Sequence, residues 1–394
     1  MTYQEMCTFE VLYQAYLEAR KRKRSKPKTA QYEANALACT EKLSKILSAK
    51  TYQPSKFEVF YVYDPKKRLV QAPAFVDKVV LHAIVDNILY DIFTNRFIRD
   101  NYASQKGKGT HDGLLRLRQF MVEYYRKNGS ADGWVLKCDV RHFFASINHD
   151  KLKVKLWEIL EKNGVDREIY DLLCIYIDTT EGLPLGYQTS QLFALLFLDE
   201  FDHIVKERFR QRYYGRYMDD FFVINSDKNE LRKLLAFFRE FMSDCGLELN
   251  QKTGIFPLRN GLDFLGFHTY IDDNGAVIQK LRQSSIDRMN SKVKFWEKEY
   301  PKGTLDKERI KAQHRSWDAH AAHGDTYSLR KKYAERVSKI IGEEVKPTRK
   351  INAPKNVRTM RQISEMRKRA RKDAKAKAET VIEQPRSGDS LPWQ

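Results

Sequence analysis

Arg216-Tyr217-Met218-Asp219-Asp220 is the stretch around which the rest of the chain can be interpreted. It lies between two runs of aromatic and β-branched residues, 213–215 and 221–224, which predict two strands joined at the aspartates. Two carboxylates in such apolar surroundings are costly unless a partner, such as a divalent cation, balances their charge. An ordinary solvated turn is the alternative, because Asp favours turns for local hydrogen-bonding reasons. The pair alone does not decide between these interpretations.

The composition predicts a large core and a polyanionic partner. Of 394 residues, 42% are hydrophobic and 12% aromatic, which is enough for two or three domains. The formal net charge of +19 favours nucleic acid as the partner, with an acidic membrane surface as the alternative. The longest apolar run, 192–198, is far shorter than the roughly 20 residues of a membrane span, so no membrane association is expected. The five cysteines follow no CxxC spacing, which indicates free thiols and a cytoplasmic location.

A second acidic position lies about 80 residues before the first. Residues 134–140 read as a short buried strand with Asp139 near its end. Two strand-borne acidic sites suit a two-metal centre for phosphoryl transfer, with two Mg²⁺ ions or, alternatively, Mn²⁺. Successive strand residues point to opposite faces. We therefore expect Asp219 to share metal with Asp139, and Asp220 to act less directly or to bend in at the turn.

The order of elements predicts an α+β fold. From 134 to 270 the pattern is strand, helices, hairpin, helix and strands, which indicates helices packed on one face of an antiparallel sheet. Three helices are expected within 281–341. The loop at 101–110, with Lys and Gly residues, is either a flexible surface loop or a contact to a nucleic-acid backbone. Residues 346–377 hold 13 Lys or Arg against 2 acidic residues, and the last dozen residues are expected to be disordered.

Five motifs in order resemble those of reverse transcriptases, over roughly residues 50–340. The matching stretches are Lys137-Cys138-Asp139-Val140-Arg141-His142-Phe143-Phe144, Gly186-Tyr187-Gln188-Thr189-Ser190-Gln191, Tyr217-Met218-Asp219-Asp220, 246–253 and Phe264-Leu265-Gly266-Phe267. One motif alone is weak evidence, but five in the family's order are specific. The resemblance implies a right-hand polymerase architecture, divided into an N-terminal helical extension (1–49), fingers (50–133), palm (134–270, with part of the fingers at about 148–182), helical thumb (271–345) and basic tail (346–394).

The resemblance also implies the site residues and the partners. It assigns catalysis to Asp139, Asp219, Asp220 and Lys252, metal binding to Asp139, Val140, Asp219 and Asp220, nucleotide binding to Arg68, Lys78, Phe144, Leu185, Gly186 and Gln191, and the primer grip to Phe264, Leu265, Gly266 and Phe267. Lys252 stands where the family's lysine protonates the leaving pyrophosphate. The implied partners are an RNA template, a DNA or RNA primer and dNTPs.

Four positions carry further expectations. Phe144 stands where the family places a gate against a ribose 2′-hydroxyl, and it can equally be a core residue. Arg68 and Lys78 stand where the family's fingers contact the incoming triphosphate. Arg216 is expected at the edge of the hairpin, near the backbone of primer or template.

The loop before the long helix resembles the enzymes of diversity-generating retroelements. Most reverse transcriptases carry Gln-Gly and Ser-Pro there, whereas this chain has Leu185-Gly186 and Ser190-Gln191. Leu185 replaces a hydrogen-bonding side chain beside the nascent base pair, which is expected to weaken discrimination between nucleotides. The alternative is that Leu185 only packs the loop. The same resemblance implies a small, basic, oligomeric accessory protein.

Other interpretations fit the sequence less well. A group II intron protein would continue into a Cys/His endonuclease region, which 346–394 does not resemble, and a retron enzyme would carry Val-Thr-Gly near 260–263. A reverse transcriptase of antiphage defence is the main competing subclass. The competing class is a basic RNA-binding protein on an inactive polymerase scaffold, which would not need acidic residues that repel a polyanion.

Overall fold

The computed structural model describes residues 1–63 and 68–348. Within these ranges the chain forms two compact units, one made of residues 1–113 and 133–257, the other of residues 114–132 and 258–348. The finer division into extension, fingers, palm, thumb and tail stays a prediction. The predicted cationic hairpin tip at 64–67 and the tail from 349 lie outside the described residues.

The helices of the described chain are α1 (Tyr3–Met6), α2 (Phe9–Ala19), α3 (Pro27–Ala34), α4 (Ala36–Ser48), α5 (Phe75–Ile84), α6 (Tyr90–Thr94), α7 (Thr110–Asn128), α8 (Phe143–Ser146), α9 (His149–Lys162), α10 (Arg167–Ile177), α11 (Gln188–Phe197), α12 (Asp199–His203), α13 (Lys228–Asp244), α14 (Gln283–Glu299), α15 (Lys307–Ala321) and α16 (Tyr327–Ile341). The strands are β1 (Glu58–Val62), β2 (Arg68–Ala72), β3 (Trp134–Asp139), β4 (Tyr213–Tyr217), β5 (Asp220–Asn225), β6 (Gly254–Pro257), β7 (Leu262–Phe264), β8 (Phe267–Ile271) and β9 (Val277–Leu281). Within 1–63 and 68–348, no helix is long and apolar enough to cross a membrane.

The first unit is built on a four-stranded antiparallel sheet with the strand order β4-β5-β3-β6. Its strands are rich in β-branched and aromatic residues, which pack well on a pleated surface. On β5, the ring of Phe221 lies 5.4 Å from Phe201 of α12 and 5.6 Å from Phe238 of α13. Helices therefore cover this face of the sheet, and the predicted α+β class is confirmed.

The N-terminal helices belong to the core of the first unit. Tyr32 of α3 packs against Phe75 of α5 with the ring centroids 5.1 Å apart, and Tyr16 of α2 lies 5.3 Å from Tyr32. These large rings bury much apolar area, which stabilises the contact of α2 and α3 with α5. The N-terminal stretch is thus packed into the unit that carries the acidic residues.

The second unit combines a three-stranded sheet with helices. Its strands pair antiparallel in the order β7-β8-β9. Met289, Val293 and Trp296, on one face of α14, form a core with Tyr333 and Val337 of α16. Helices α14, α15 and α16 confirm the three helices predicted within 281–341. The sequence had placed strand ends near 264–267 but not the third strand, β9.

Candidate active site

The two aspartates lie at the tip of the hairpin formed by β4 and β5. Tyr217 pairs with Asp220, so Met218 and Asp219 form a two-residue loop, as predicted. Met218 has φ = +55°, in the left-handed region where a bulky side chain is strained. Hairpin loops of this length usually place Gly or Asn there, and a strained residue costs about 1–3 kcal/mol. The surrounding contacts must therefore hold this turn in place.

Backbone hydrogen bonds join Asp139 to the hairpin and to a third segment. Asp139 is paired with Asp220 across β3 and β5, and the Val140 N–H donates to the carbonyl of Asp219 at 3.1 Å. On the other side, the Asn250 N–H donates to the carbonyl of Asp139 at 2.7 Å. The end of β3 is thus fixed from both sides.

Asp220 has a lysine partner. Residues directly opposite in an antiparallel pair point to the same face, so Asp139 and Asp220 share a face of the sheet. Lys137 lies two positions before Asp139 on that face, and its ammonium forms an ion pair with Oδ1 of Asp220. This partner was not foreseen, although the spacing of Lys137 and Asp139 in a predicted strand was its signal. That Asp220 contacts metal less directly than Asp219 stays a prediction.

An open cleft of about 750 Å³ brings several predicted residues together. Its lining within the described chain includes Asp139, Val140, Phe144, Leu185 and Asp219. The side chain of Leu185 is exposed to solvent, at 48%. Phe144, half-buried on the short α8, packs edge-on against Phe143 at 5.7 Å, so it is both a core contact and a wall of the cleft.

The donors at this cleft fit a hard divalent cation. In the described part of the chain, no group of three or more His, Cys, Asp and Glu side chains is assembled to hold a metal. Mg²⁺ is usually held by one or two carboxylates together with waters and substrate phosphates, rather than by an all-protein cage. Asp139 and Asp219 bring two carboxylate residues to one side of an open cleft, and Val140 also lines it. The donor set is therefore suited to metal that arrives with a nucleotide.

Glycines pack the loop before α11 against its neighbours. A Cβ on Gly186 would lie 2.1 Å from the carbonyl oxygen of Gln71, at the end of β2. A Cβ on Gly182 would lie 2.5 Å from the carbonyl oxygen of Ala145, and the next residue, Leu183, donates its N–H to the carbonyl of Phe144 at 2.7 Å. These close approaches hold the loop beside α8. They explain how Leu185 and Phe144 reach the same cleft.

Residues 101–103 are fully buried, so this part of the predicted loop is neither a flexible surface loop nor a contact to nucleic acid. The segment runs along β4, where the Tyr102 N–H donates to the carbonyl of Arg216 at 3.0 Å. Ser104 follows, and its hydroxyl bonds the side chain of the exposed Gln191. The ammonium of Lys108 donates to the carbonyl of Asn101 at 3.0 Å. The first half of this stretch is therefore structural.

The expectation for Arg216 is wrong. Its side chain has no exposure, and it forms an ion pair with the equally buried Asp202 of α12 at 2.6 Å. Burial by itself lowers the pKa of the guanidinium, but the charge of Asp202 outweighs this and raises it. A fully buried side chain cannot contact primer or template. The sequence of β4 could not reveal that an acidic residue from α12 lies beside Arg216.

The remaining nucleotide and catalytic candidates lie elsewhere in the first unit. Lys78, on α5, is half-buried; burial first, and then the charges of Lys23 and Lys26, lower the pKa of its ammonium. Lys252 is exposed, on the turn after Asn250. Arg68 begins β2, and its side chain lies outside the described part of the structure.

The predicted primer-grip residues form a hairpin in the second unit. Phe264 ends β7 and pairs with Phe267, which begins β8, and both are buried. Leu265 and Gly266 form the loop with φ of +48° and +88°. The Arg282 N–H donates to the carbonyl of Gly266 at 3.1 Å. The sequence predicted a strand end at this turn. The strand after the turn, β8, pairs with β7 and alternates buried and partly exposed residues.

Comparison with known proteins identifies the family. The pattern described as reverse transcriptase (RNA-dependent DNA polymerase) matches residues 63–269, just over half of the chain. The chain belongs to the reverse transcriptase family. Its α+β polymerase fold is the fold of that family of RNA-directed DNA polymerases, and the matched range includes the aspartates, the cleft and the loop before α11.

The solved structures that match this chain include telomerases of two Candida species. Telomerase from Candida albicans, in complex with a fragment of telomeric RNA, is 11% identical with a TM-score of 0.44 over 73% of this chain and 62% of that chain. Telomerase from Candida tropicalis, also with a fragment of telomeric RNA, is 12% identical with a TM-score of 0.45 over 76% and 60%. This chain thus spans about three fifths of the length of these proteins. No protein of curated function matches the sequence.

Proposed function

We propose that this protein is an RNA-directed DNA polymerase that copies an RNA template into cDNA from a DNA or RNA primer. The observation that carries the proposal is the cleft where Asp139 and Asp219, from neighbouring strands, face Phe144 and Leu185. Family membership supports the class of reaction. The substrates named here, dNTPs and an RNA template, rest on the residues of this cleft and on the family's motifs.

The protein residues divide the work as follows. Asp139, Asp219 and the carbonyl of Val140 would hold Mg²⁺, or Mn²⁺, and two such ions when bound supply positive charge to the attacking and leaving oxygens. Lys137 neutralises Asp220, which reduces the repulsion between the site and an incoming triphosphate. Lys252 is placed on an exposed turn as the proton donor to pyrophosphate.

Further residues position the substrates in this proposal. Phe144 excludes a ribose 2′-hydroxyl from the cleft, because its ring forms part of the wall. Arg68, Lys78, Gly186 and Gln191 complete the nucleotide site. In the predicted primer grip, the buried Phe264 and Phe267 hold the hairpin, and its loop, Leu265 and Gly266, contacts the primer. The basic character of the chain supports binding of an RNA–DNA hybrid through phosphates. We place the reaction in the cytoplasm.

Primer extension on an RNA template with Mg²⁺ and dNTPs tests the proposal. The wild type should extend the primer, and Asp139→Ala and Asp219→Ala should each lose most of this activity, by about 100-fold or more. Asp273→Ala, in an exposed turn, is the control that should extend like the wild type. Equal background from the wild type and Asp219→Ala would instead favour a basic RNA-binding protein on an inactive scaffold.

The subclass that we propose is an error-prone enzyme of a diversity-generating retroelement. The supporting observation is that Leu185 is exposed in the same cleft as Asp139 and Asp219 rather than buried in its loop. An apolar side chain at this place gives a nascent base pair no hydrogen bond. A small basic accessory protein belongs to the same proposal.

Leu185→Gln tests this subclass. Restoring an amide should lower misincorporation opposite template adenines by several-fold while extension on matched nucleotides continues. Leu185→Met, which keeps an apolar side chain of similar volume, is the control and should stay error-prone. An unchanged error rate in Leu185→Gln would leave Leu185 as a packing residue.

A further inference from the structure

A buried guanidinium lies directly beneath the catalytic turn. Arg216 donates from Nε to Oδ1 of Asp202 at 2.7 Å and from Nη2 to Oδ2 at 2.6 Å. Its remaining nitrogen, Nη1, donates to the carbonyl of Met218 at 3.0 Å. The fork of Arg216 is thus held on one side by a carboxylate and on the other by the residue that precedes Asp219.

The backbone of Arg216 is also fixed. Its N–H donates to the carbonyl of Asp100 at 2.9 Å, and its carbonyl accepts from the Tyr102 N–H at 3.0 Å. Asp202 is held in turn by the Tyr214 hydroxyl at 2.5 Å and by the Asn101 amide at 3.2 Å. Donors therefore engage both carboxylate oxygens of Asp202, so Arg216 and its partner have little freedom to move.

The bond to Met218 acts where the hairpin is strained. Met218 is in the left-handed region, and its carbonyl belongs to the peptide group that it shares with Asp219. If φ of Met218 changed to relieve the strain, its carbonyl would turn away from Arg216, and Asp219, the next residue, would move with it and take its carboxylate out of the cleft. The hydrogen bond from a charged donor resists that rotation, because charged donors make stronger bonds than neutral ones.

We propose that Arg216 is a positioning residue that keeps Asp219 in the orientation needed to bind a divalent cation. It acts through the Met218 carbonyl and touches neither metal nor nucleotide. The proposal deepens the proposed function, since it takes Asp219 to be a metal ligand. It also gives a reason for a buried ion pair, which contributes little to stability compared with well-packed apolar residues.

Two variants separate positioning from folding. Arg216→Met with Asp202→Leu removes both charges, and a buried ion pair replaced by apolar residues of similar volume often leaves stability unchanged. Arg216→Lys keeps a positive charge beside Asp202. An ammonium lacks the planar guanidinium that contacts Asp202 and the Met218 carbonyl at the same time. The matched control is Arg330→Met with Asp318→Leu, which removes another buried pair, at 3.3 Å, from the second unit.

Binding of Mn²⁺ to the full-length protein, measured from the EPR signal of the unbound ion, is the main readout. We expect Asp219→Ala to weaken Mn²⁺ binding strongly. Both Arg216 variants should raise the Kd for Mn²⁺ by about three- to tenfold, because each loses the hydrogen bond from the guanidinium to the Met218 carbonyl. The control pair should bind Mn²⁺ like the wild type. In primer extension, the Mg²⁺ concentration for half-maximal rate should rise by the same factor, with the KM for dNTP at saturating Mg²⁺ within about twofold.

The outcomes distinguish the two proposals. If Asp219→Ala binds Mn²⁺ like the wild type, the assignment of Asp219 as a metal ligand fails, and with it the proposed function at this site. If Asp219→Ala weakens binding but Arg216→Lys, shown to be folded by thermal unfolding, keeps the wild-type Kd, the positioning role of Arg216 is overturned. An equal shift in the control pair would likewise overturn it, because the effect would then be a general loss of stability.

Discussion

Lys137 lies on the same face of β3 as Asp139, because two positions separate them in a strand. Its ion pair with Asp220 places one positive charge within a group of three aspartates. A fixed ammonium there competes with a divalent cation for the same carboxylate charge. The sequence pattern was sufficient to place Lys137 on this face, but it did not predict which acidic residue would form the ion pair with its ammonium.

Lys137→Met should therefore strengthen the binding of divalent cations. Without the ammonium, the local charge is more negative, and we expect the Mg²⁺ concentration for half-maximal primer extension to fall by about two- to fivefold. The control is Lys153→Met, which removes a lysine of α9 that is paired with Asp178. A higher Mg²⁺ requirement in Lys137→Met would mean that the lysine supports the cation site instead of competing with it.

Gly186 is required by the approach of its loop to β2. An added methyl group would meet the Gln71 carbonyl at 2.1 Å, and such overpacking costs about 1–3 kcal/mol or moves the loop. Gly186→Ala should lower the thermal stability of the first unit and also the rate of extension, since Leu185 moves with the loop. Gly254→Ala, where an added Cβ meets nothing within 4 Å, should change neither. Normal activity in Gly186→Ala would show that the loop yields without disturbing the cleft.

Hairpins and helices were largely predictable from local patterns, whereas the burial of particular residues was not. Runs of aromatic and β-branched residues on either side of Asp219 predicted β4 and β5, because such residues favour strands. The wrong placement of Arg216 has a physical cause: its partner, Asp202, lies on a separate helix, and sequence does not reveal which elements touch. The same holds for residues 101–103, which precede a run of Lys and Gly residues that resembles a loop, but whose backbone hydrogen-bonds to β4.

Helix α15 contains a histidine that makes the second unit sensitive to acid. His314 is buried, neither of its ring nitrogens has a hydrogen-bond partner among the described residues, and burial lowers its pKa. The folded state therefore binds the proton less well than the unfolded state. Above a pH of about 6.5 the residue has no effect, and below it the free energy of unfolding should fall as the pH falls.

His314→Phe provides the test of this acid sensitivity. Replacing the imidazole with an apolar ring should reduce the loss of stability between about pH 6.5 and 5, measured by thermal unfolding. His111→Phe is the control; burial also lowers the pKa of this histidine, but it is exposed, so its removal should change the pH profile less. Parallel profiles for the wild type and His314→Phe would assign the acid sensitivity to other groups.

For the whole molecule, motif order identified the family, and composition predicted a polyanionic partner. The match over residues 63–269 agrees with the range in which the five motifs occur. The boundary between compact units was harder to foresee, because α7 belongs mainly to the second unit although strands of the first unit follow it in the chain. Contacts between segments distant in sequence determine such a division, and a linear pattern does not contain them.

The C-terminal charge is expected to act on affinity rather than on chemistry. Residues 349–394 hold 13 basic and 5 acidic residues, so their removal lowers the formal net charge from +19 to +11. Truncation after Thr348 keeps the hydrogen bonds of that residue to Asp318 and Arg330. We expect a shallower dependence of RNA binding on salt, measured as log K against log salt, with the extension rate at saturating RNA nearly unchanged. An unchanged salt slope would exclude the tail from RNA binding.

The pairing of Asp139 with Asp220 has a consequence for how the protein is made. The two residues are separated by roughly 80 positions, and β3 lies between β5 and a still later strand, β6. During synthesis, β3 leaves the ribosome well before β5 and β6 are made, so both of its hydrogen-bonding edges stay unpaired until then. Sheets assembled from such distant strands fold slowly, and their unpaired edges invite aggregation. Chaperone supply or slower translation should therefore govern the yield of active protein more than the yield of total protein.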